Sequence, residues 1–456
     1  MNLEDRVQAL LTEALGVYRD SPRATAWLRG HLARLAEPVR VAVAGAPLAG
    51  KSTVASALVG EEFAPRAAFT WYRDGPQPRA QAGPHEVPVV RRDGKVFVEA
   101  PTADRVVVDW PSRSLRDVVV IDAPSGAPVE QVYGEADAVL YLTRHLHTAD
   151  LHYLQAAHDH PIARATPVGT VLVLARADEI GGGRIDALSS AKQIARRYRR
   201  EPRIRPLCQN VVAVAGLLAV AARTLRDDEF AALAALASLP RAELDDHLLS
   251  ADRFVGEDFP VRLASPVRQR LLDRFGLFGV RLTSTLVRQG FDTQVKLTGQ
   301  LVQRSGLGEL RDSIGQYFTE RREVLKARSA LLGLDVVLRA EPRPAARALV
   351  AAVERVLASA HDFRELRLLA ALQGGRTRLP AELDAEAARL VGGLGTSLPA
   401  RLGMEHEPTP GEARQGVLEA LGRWREQAAN PALDQAQRRA AEVVVRSCEG
   451  MLAALA

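Results

Sequence analysis

A chain of 456 residues is too long for one ordinary hydrophobic core, so two or more folding units are expected. Its 47% hydrophobic and 25% charged residues give ample core material and exclude a disordered or fibrous chain. A net charge of +5 over this length permits an anionic surface as partner without demanding one, and no nucleic acid is expected.

Two cysteines, Cys208 and Cys448, supply no disulfide framework and fit a reducing cytosol. The first residues carry Glu4 and Asp5 where a secretory leader would carry only bases. The longest nearly unbroken apolar run, Val211 to Ala222, is too short to cross a bilayer, so any membrane contact is expected to be peripheral.

In chain order, Leu3, Val7, Leu10, Leu11, Ala14 and Leu15 recur at helical spacing. After Ser21-Pro22 the pattern repeats through Trp27, Leu28, His31, Leu32 and Leu35. These two helices need a partner further along the chain.

Val39 to Ala44 reads as a buried strand and Thr53 to Val59 as a helix. Between them stands Gly45-Ala46-Pro47-Leu48-Ala49-Gly50-Lys51-Ser52, the P-loop arrangement. A triphosphate is densely anionic, and such a loop wraps it in backbone N–H groups that glycine-rich geometry can aim inward. The following helix adds its N-terminal dipole, Lys51 a point charge and Ser52 a hydroxyl for Mg2+. The bland alternative is a chance glycine-rich turn, and the correct strand and helix on either side weigh against it.

Thr70 to Arg73, Val106 to Trp110 and Val118 to Ile121 read as strands, with a hairpin around Arg92-Asp93-Gly94. Ala138 to Leu142, Thr170 to Leu174 and Val211 to Val214 are further buried strands, the last two preceded by helical stretches. That alternation predicts a doubly wound α/β sheet over residues 37–222. From Arg223 the pattern turns helical, with one long helix expected from Leu307 to Leu338. The expected organisation is N-terminal helices over 1–36, a nucleotide domain over 37–222, and an all-α bundle over 223–456 joined by the N-terminal helices.

Asp122 ends a strand, where P-loop proteins place the acid that holds Mg2+ through water. Asp178, in Ala175-Arg176-Ala177-Asp178, also follows a strand and can accept from guanine N1–H and the exocyclic amine. Adenine has no donors there, and a buried carboxylate left unpaired by the wrong base discriminates strongly. A helix N-cap is the plain alternative for that aspartate. Ala215 and Gly216 would complete the base pocket. The candidate nucleotide-binding set is therefore Gly45, Ala46, Pro47, Leu48, Ala49, Gly50, Lys51, Ser52, Thr53, Asp122, Arg176, Asp178, Ala215 and Gly216, with Ser52 and Asp122 as Mg2+ residues.

These motifs stand in the order of guanine-nucleotide-binding domains, and the flanking helices resemble a bacterial dynamin-like protein. Arg176 to Gly181, Gly183 to Ala187, Leu248 to Val255, Ser305-Gly306-Leu307 and Glu323 to Ala327 resemble more particularly the isoniazid-inducible dynamin-like GTPases of actinobacteria. The resemblance runs over nearly the whole chain. It implies a GTP- and GDP-binding α/β head with Mg2+ on an all-α neck and trunk, cytoplasmic and peripheral at the inner face of the plasma membrane. It also implies lipid as a partner, and a homodimer through the head or a sibling dynamin-like protein.

The sequence departs from that family where the γ-phosphate is sensed. Leu48 stands where a serine is common, no Thr or Ser occurs from Gly60 to Phe69, and Asp122-Ala123-Pro124-Ser125 puts Ser125 in place of glycine, with Gly126 one position late. Asn or Thr is expected at Ala175. Leu48, Ser125 and Gly126 thus occupy family catalytic positions without the family residues, and the catalytic groups stay unassigned. Losing positioning groups slows hydrolysis more than binding, so a slow GTPase is expected. A non-hydrolysing GTP-binding scaffold for a sibling dynamin is the alternative, and a P-loop ATPase or kinase a remoter one.

Three constellations suggest bland readings. Five of the ten histidines lie between His145 and His160, beside Asp150 and Asp159, but read as a helix on the domain flank rather than a metal site. Arg196, Arg197, Arg199 and Arg200 read as a solvated helix end. The turns at Leu372 to Arg376 and Leu394 to Pro399 are conceivable lipid contacts at the far end of the bundle, yet ordinary interhelical loops look the same.

Overall fold

The computed structural model describes residues 2–100, 103–157, 162–163 and 169–455. Its strands are β1 (Val39–Gly45), β2 (Phe69–Asp74), β3 (Arg79–Ala82), β4 (His85–Val87), β5 (Val89–Arg92), β6 (Lys95–Val98), β7 (Arg105–Trp110), β8 (Val118–Asp122), β9 (Ala138–Thr143), β10 (Thr170–Ala175) and β11 (Asn210–Val214). Nine of them form a sheet in the order β11-β10-β9-β1-β8-β2-β7-β3-β4. From β11 to β8 the strands run parallel; β2 is antiparallel to β8, and β7, β3 and β4 extend the sheet beyond it. The parallel strands are near-continuous Val, Leu and Ala runs because helices cover both faces. Outside the sheet, β5 and β6 pair through a two-residue turn, Asp93 and Gly94, both with positive φ.

The two faces serve different helices. One face, including Val41, Val43 and Val120, packs with the P-loop helix Lys51–Val59, the N-terminal helices Leu3–Val17 and Pro22–Ala36, and the helices Leu307–Ile314, Arg322–Ala340 and Arg347–Ser359. The other, including Ala42, Ile121 and Leu172, shares a core with Ala187–Arg200, Asp227–Ala237, Ser265–Arg288 and Gln294–Arg304. A third core, with Trp424 at its centre, holds the C-terminal bundle of His361–Gln373, Ala381–Leu390, Pro410–Ala429 and Gln435–Ala454. This is an α/β P-loop domain with a helical bundle drawn from both ends of the chain.

The N-terminal helices find their partner in Arg322–Ala340. Trp27 Nε1 donates to Gly333 O at 2.9 Å. A Cβ on Gly333 would lie 2.3 Å from the His31 ring, so only glycine allows this approach. At the same junction Asp137, fully buried just ahead of β9, is clamped by Arg34 (2.6 Å) and Lys326 (2.8 Å) and accepts from Arg40 N. Burial alone would raise the Asp137 pKa, but Arg34 and Lys326 overcome it and hold the carboxyl at about 2.

The single helix expected from Leu307 to Leu338 is two. Leu307–Ile314 ends in a π-helical turn, Gly315–Thr319, before Arg322–Ala340 begins. The apolar rhythm continues through the break, so periodicity alone does not reveal it. The loop after Leu390 closes against this turn: Thr396 N donates to Glu320 Oε2 at 2.8 Å, and Arg321 donates to Gly392 O. Of the apolar residues in the two turns considered for lipid, Leu372 is buried in the C-terminal core, whereas Leu394 is 58% exposed.

Candidate functional site

β1 ends at Gly45, whose φ of 138° and position against β9 exclude a side chain: a Cβ there would fall 2.1 Å from Leu142 O. The loop turns through Leu48, a non-glycine residue at φ 59°, with its side chain 78% exposed. Gly50, at φ 88°, caps the Lys51–Val59 helix without a side-chain bond. Its first N–H groups are left to face the cavity, as an anion site requires. Lys51 is buried and folds back on the loop, donating to Gly45 O (3.2 Å), Ala46 O (3.1 Å) and Ser125 Oγ (2.9 Å). Ser125 thus puts a hydroxyl on the P-loop lysine where the family has glycine.

Asp122 lies at the end of β8, opposite Val43 of β1 and Thr70 of β2. Burial pushes its pKa up to about 6, opposed by a hydrogen bond from Ser52 and by the Lys51 charge. Its Oδ1 is buried with no hydrogen-bond partner. A hydroxyl and a carboxylate in contact, with one oxygen orphaned and phosphate-binding groups alongside, suit a hard cation taking oxygen ligands. Ser52 and Asp122 therefore fit Mg2+.

A cavity of about 400 Å³ opens over this loop, walled by Lys51, Ser52, Ser125 and Arg176 on one side and by Glu62, Lys95 and Arg274 on the other. A smaller space of about 80 Å³ adjoins it, sharing Gly50, Thr53, Arg176 and Leu217 and reaching Asp178 and Gly216. Asp178 follows β10 in the turn Ala177–Gly182, entered through Arg176 at φ 51°. It is only 7% exposed, and burial, reinforced by Glu179, raises its pKa to about 6 against its own backbone hydrogen bond and Arg176. Ala215 is held from outside the sheet, its N–H donating to Ser305 O at 2.9 Å, and Gly216 packs on Thr53.

The structure thus brings the sequence-predicted residues, from Gly45 to Thr53 with Asp122, Arg176, Asp178, Ala215 and Gly216, around two joined cavities. Other residues come from far along the chain. Arg274 ties Glu229 (2.8 Å) and Glu62 together, and Lys95 meets Glu62 at 3.1 Å. The segment after the P-loop helix is pinned to β6 by Val96 N to Glu62 O (2.8 Å) and Ala64 N to Val96 O (2.9 Å). The Ser265–Arg288 helix breaks at Gly276, φ 64°, beside Asp178. Only the glycine inside a helical pattern hints at this in the sequence.

The clusters read as bland have structural partners. Asp150 accepts from Tyr141 (2.7 Å) and Thr143 (3.1 Å) and caps its own helix through His147 N. Among the described residues no three His, Cys, Asp or Glu side chains are grouped to hold a metal; His158, Asp159 and His160 lie outside those residues. Arg196, Arg197 and Arg200 are exposed, and Arg199 donates to Val211 O.

A P-loop α/β head with a helical bundle built from both chain ends defines the class of dynamin-like proteins. No family model matches the chain. It is 38% identical over 490 aligned positions to the isoniazid-induced protein IniC from each of two strains of Mycobacterium tuberculosis, with 99% of both chains covered. The chain belongs to this IniC-type dynamin-like family. Two solved structures described as an oligomerised bacterial dynamin pair for long-range sensing and tethering of membranes align over 85% of this chain and 77% of theirs, at 14% and 12% identity and a TM-score of 0.31. No described helix is long and apolar enough to cross a membrane.

Proposed function

We propose that the chain binds GTP and GDP with Mg2+ in the joined cavities and hydrolyses GTP slowly. The cycle would serve remodelling or maintenance of a membrane met peripherally, at the cytoplasmic face of the plasma membrane. Buried Asp178, opening into a space continuous with the P-loop cavity, is the observation that carries the nucleotide reading. Guanine offers that carboxylate two donors and adenine none. Lys51 would exchange Gly45, Ala46 and Ser125 for phosphate oxygens, while the loop N–H groups hold the remaining charge. Ser52 and Asp122 would hold Mg2+, which neutralises phosphate charge when bound.

Slowness is supported by what surrounds the γ-phosphate end. Leu48 supplies no polar group, and the segment that carries a mobile threonine in relatives is fixed to β6 and Arg274. A second copy meeting the head, or a sibling dynamin-like protein, would be the partner able to add groups in trans. The membrane part of the reading rests on the family alone. Single-turnover hydrolysis of GTP and of ATP, with and without anionic liposomes, tests the whole. Phosphate released from GTP alone, faster on liposomes, supports it. Tight GTP binding without release would assign a scaffold instead, and equal use of ATP would overturn the guanine assignment.

A further inference from the structure

A second groove, of about 220 Å³, lies on the side of the head where the Pro22–Ala36, Val129–Glu135 and Arg322–Ala340 helices converge. Trp27, Tyr133, Leu332 and Val336 give it apolar walls, and Trp27 and Val336 are 42% and 51% exposed at its mouth. Two polar groups line it from within. Arg328 is 2% exposed, stacks over the Tyr133 ring at 5.5 Å, and has no hydrogen-bond partner at Nε or Nη1. His31 is 8% exposed with Nδ1 unpartnered, and burial, followed by the neighbouring Arg34 and Arg40 charges, holds it neutral with a pKa of about 4.

A buried guanidinium stays charged at any ordinary pH, so it needs an anion. The one buried carboxylate at this junction, Asp137, is already clamped by Arg34 and Lys326. Arg328 therefore leaves uncompensated positive charge inside a mostly apolar slot, with Glu130 the acid at the solvent-facing rim. At about 30 Å³ for a water-sized group, the slot holds roughly seven such groups, with its open side free for a protruding tail. Apolar walls ending on an unpaired cation describe a site for an amphiphile with a single anionic head.

We propose that this groove binds a small amphiphilic carboxylate, its apolar body between Trp27 and Val336 and its carboxylate on Arg328. The inference does not rest on the nucleotide reading. Calorimetric titration of the full chain with octanoate, octanol and inorganic phosphate tests it. Octanoate gives saturable binding, with octanol and phosphate each at least tenfold weaker, and Arg328→Gln weakens octanoate at least tenfold. Octanol binding as tightly would make the slot merely apolar, and phosphate binding as tightly would make it a plain anion site; either overturns the proposal. So would unchanged octanoate affinity in the variant, or no saturable heat with the wild-type chain. Should Arg328→Gln not fold, Val336→Trp fills the exposed wall while leaving every cation in place; it abolishes octanoate binding, and retained binding refutes the site.

Discussion

Thr70 and Asp122 face each other across the antiparallel pair of β2 and β8, on the sheet face that carries the P-loop helix. Directly opposed residues of such a pair present their side chains side by side. The threonine absent from the loop after the P-loop helix is therefore replaced in space by one set in a strand, buried, with its hydroxyl donating to Ala68 O at 3.2 Å. A strand cannot swing with nucleotide state as a loop can. A hydroxyl there can assist Mg2+ without reporting which nucleotide is bound, which fits a slow, weakly switching head.

Thr70→Val keeps the shape and removes the hydroxyl. One hydrogen bond of about 0.5–1.5 kcal/mol is at stake. The gain in GTP affinity on adding Mg2+ should fall roughly two- to tenfold, with Mg2+-free binding unchanged. Titrations with and without Mg2+ check this, and an equal loss in both would disconnect Thr70 from the metal.

Lys51→Ala removes the only cation that touches both the loop carbonyls and Ser125 among the described residues. Charge-assisted hydrogen bonds of about 1.5–3 kcal/mol place the loss of GTP and GDP affinity at roughly ten- to several-hundredfold, enough to abolish detectable binding at working concentrations. Unchanged affinity would mean that the phosphate cradle has been misread.

Nucleotide binding needs Asp122 and Asp178 ionised, yet burial raises both to about 6. Without nucleotide, each raised pKa favours the protonated fold, so its contribution to stability is full below about 4 and lost as pH rises through 6. Binding has the opposite slope. GTP affinity should be flat above about pH 7 and fall about tenfold per pH unit for each group below 6. Asp178→Asn should remove the Asp178 part of that slope and lower GTP over ATP preference by roughly tenfold or more. Affinities measured across pH 5–8 decide it.

Asp137→Ala leaves Arg34 and Lys326 as buried, uncompensated cations. Breaking such a cluster costs about 3–5 kcal/mol, visible as a large drop in the denaturant midpoint. With its folded pKa depressed to about 2, Asp137 contributes stability above its unfolded value that disappears as pH falls through 2. The variant should lack that acid limb in melts between pH 4 and 2.

Gly276→Ala puts a side chain at φ 64° in the helix break beside Asp178. The new Cβ would lie 3.8 Å from Asp178 Oδ2, ordinary contact distance, so the cost comes from the backbone, about 1–2 kcal/mol. Thermal melting should show that loss. Base preference should survive better than in Asp178→Asn, because the carboxylate itself is untouched.

The nucleotide head was legible because its parts are local. Gly45 to Ser52, Asp122 and Arg176 to Asp178 each sit at a strand end, and strands written as Val and Leu runs are fixed by burial on both faces. The family was equally legible from runs such as Ser305-Gly306-Leu307, which the fold sets against the end of β11: a Cβ on Gly306 would fall 2.1 Å from Ala213 O. Hidden were the contacts between distant segments. The texture change at Arg223 follows the last strand, but packing continues past it, and the helices from Asp227 to Arg304 share a core with the sheet. Nor does an amphipathic pattern say which face meets which neighbour, so neither Arg274 on Glu62 nor Arg328 in its groove could be placed.

By itself the sequence determined a strand, a phosphate loop, two strand-end acids and the helices, since each follows from local chain geometry and residue spacing. Tertiary structure alone decided that Thr70 stands beside Asp122, that Glu62 is tethered by Arg274, and that one carboxylate at position 137 serves two cations while a third goes without. Those outcomes depend on strand register and on which helices fill the same space, and both are settled by packing of the whole chain.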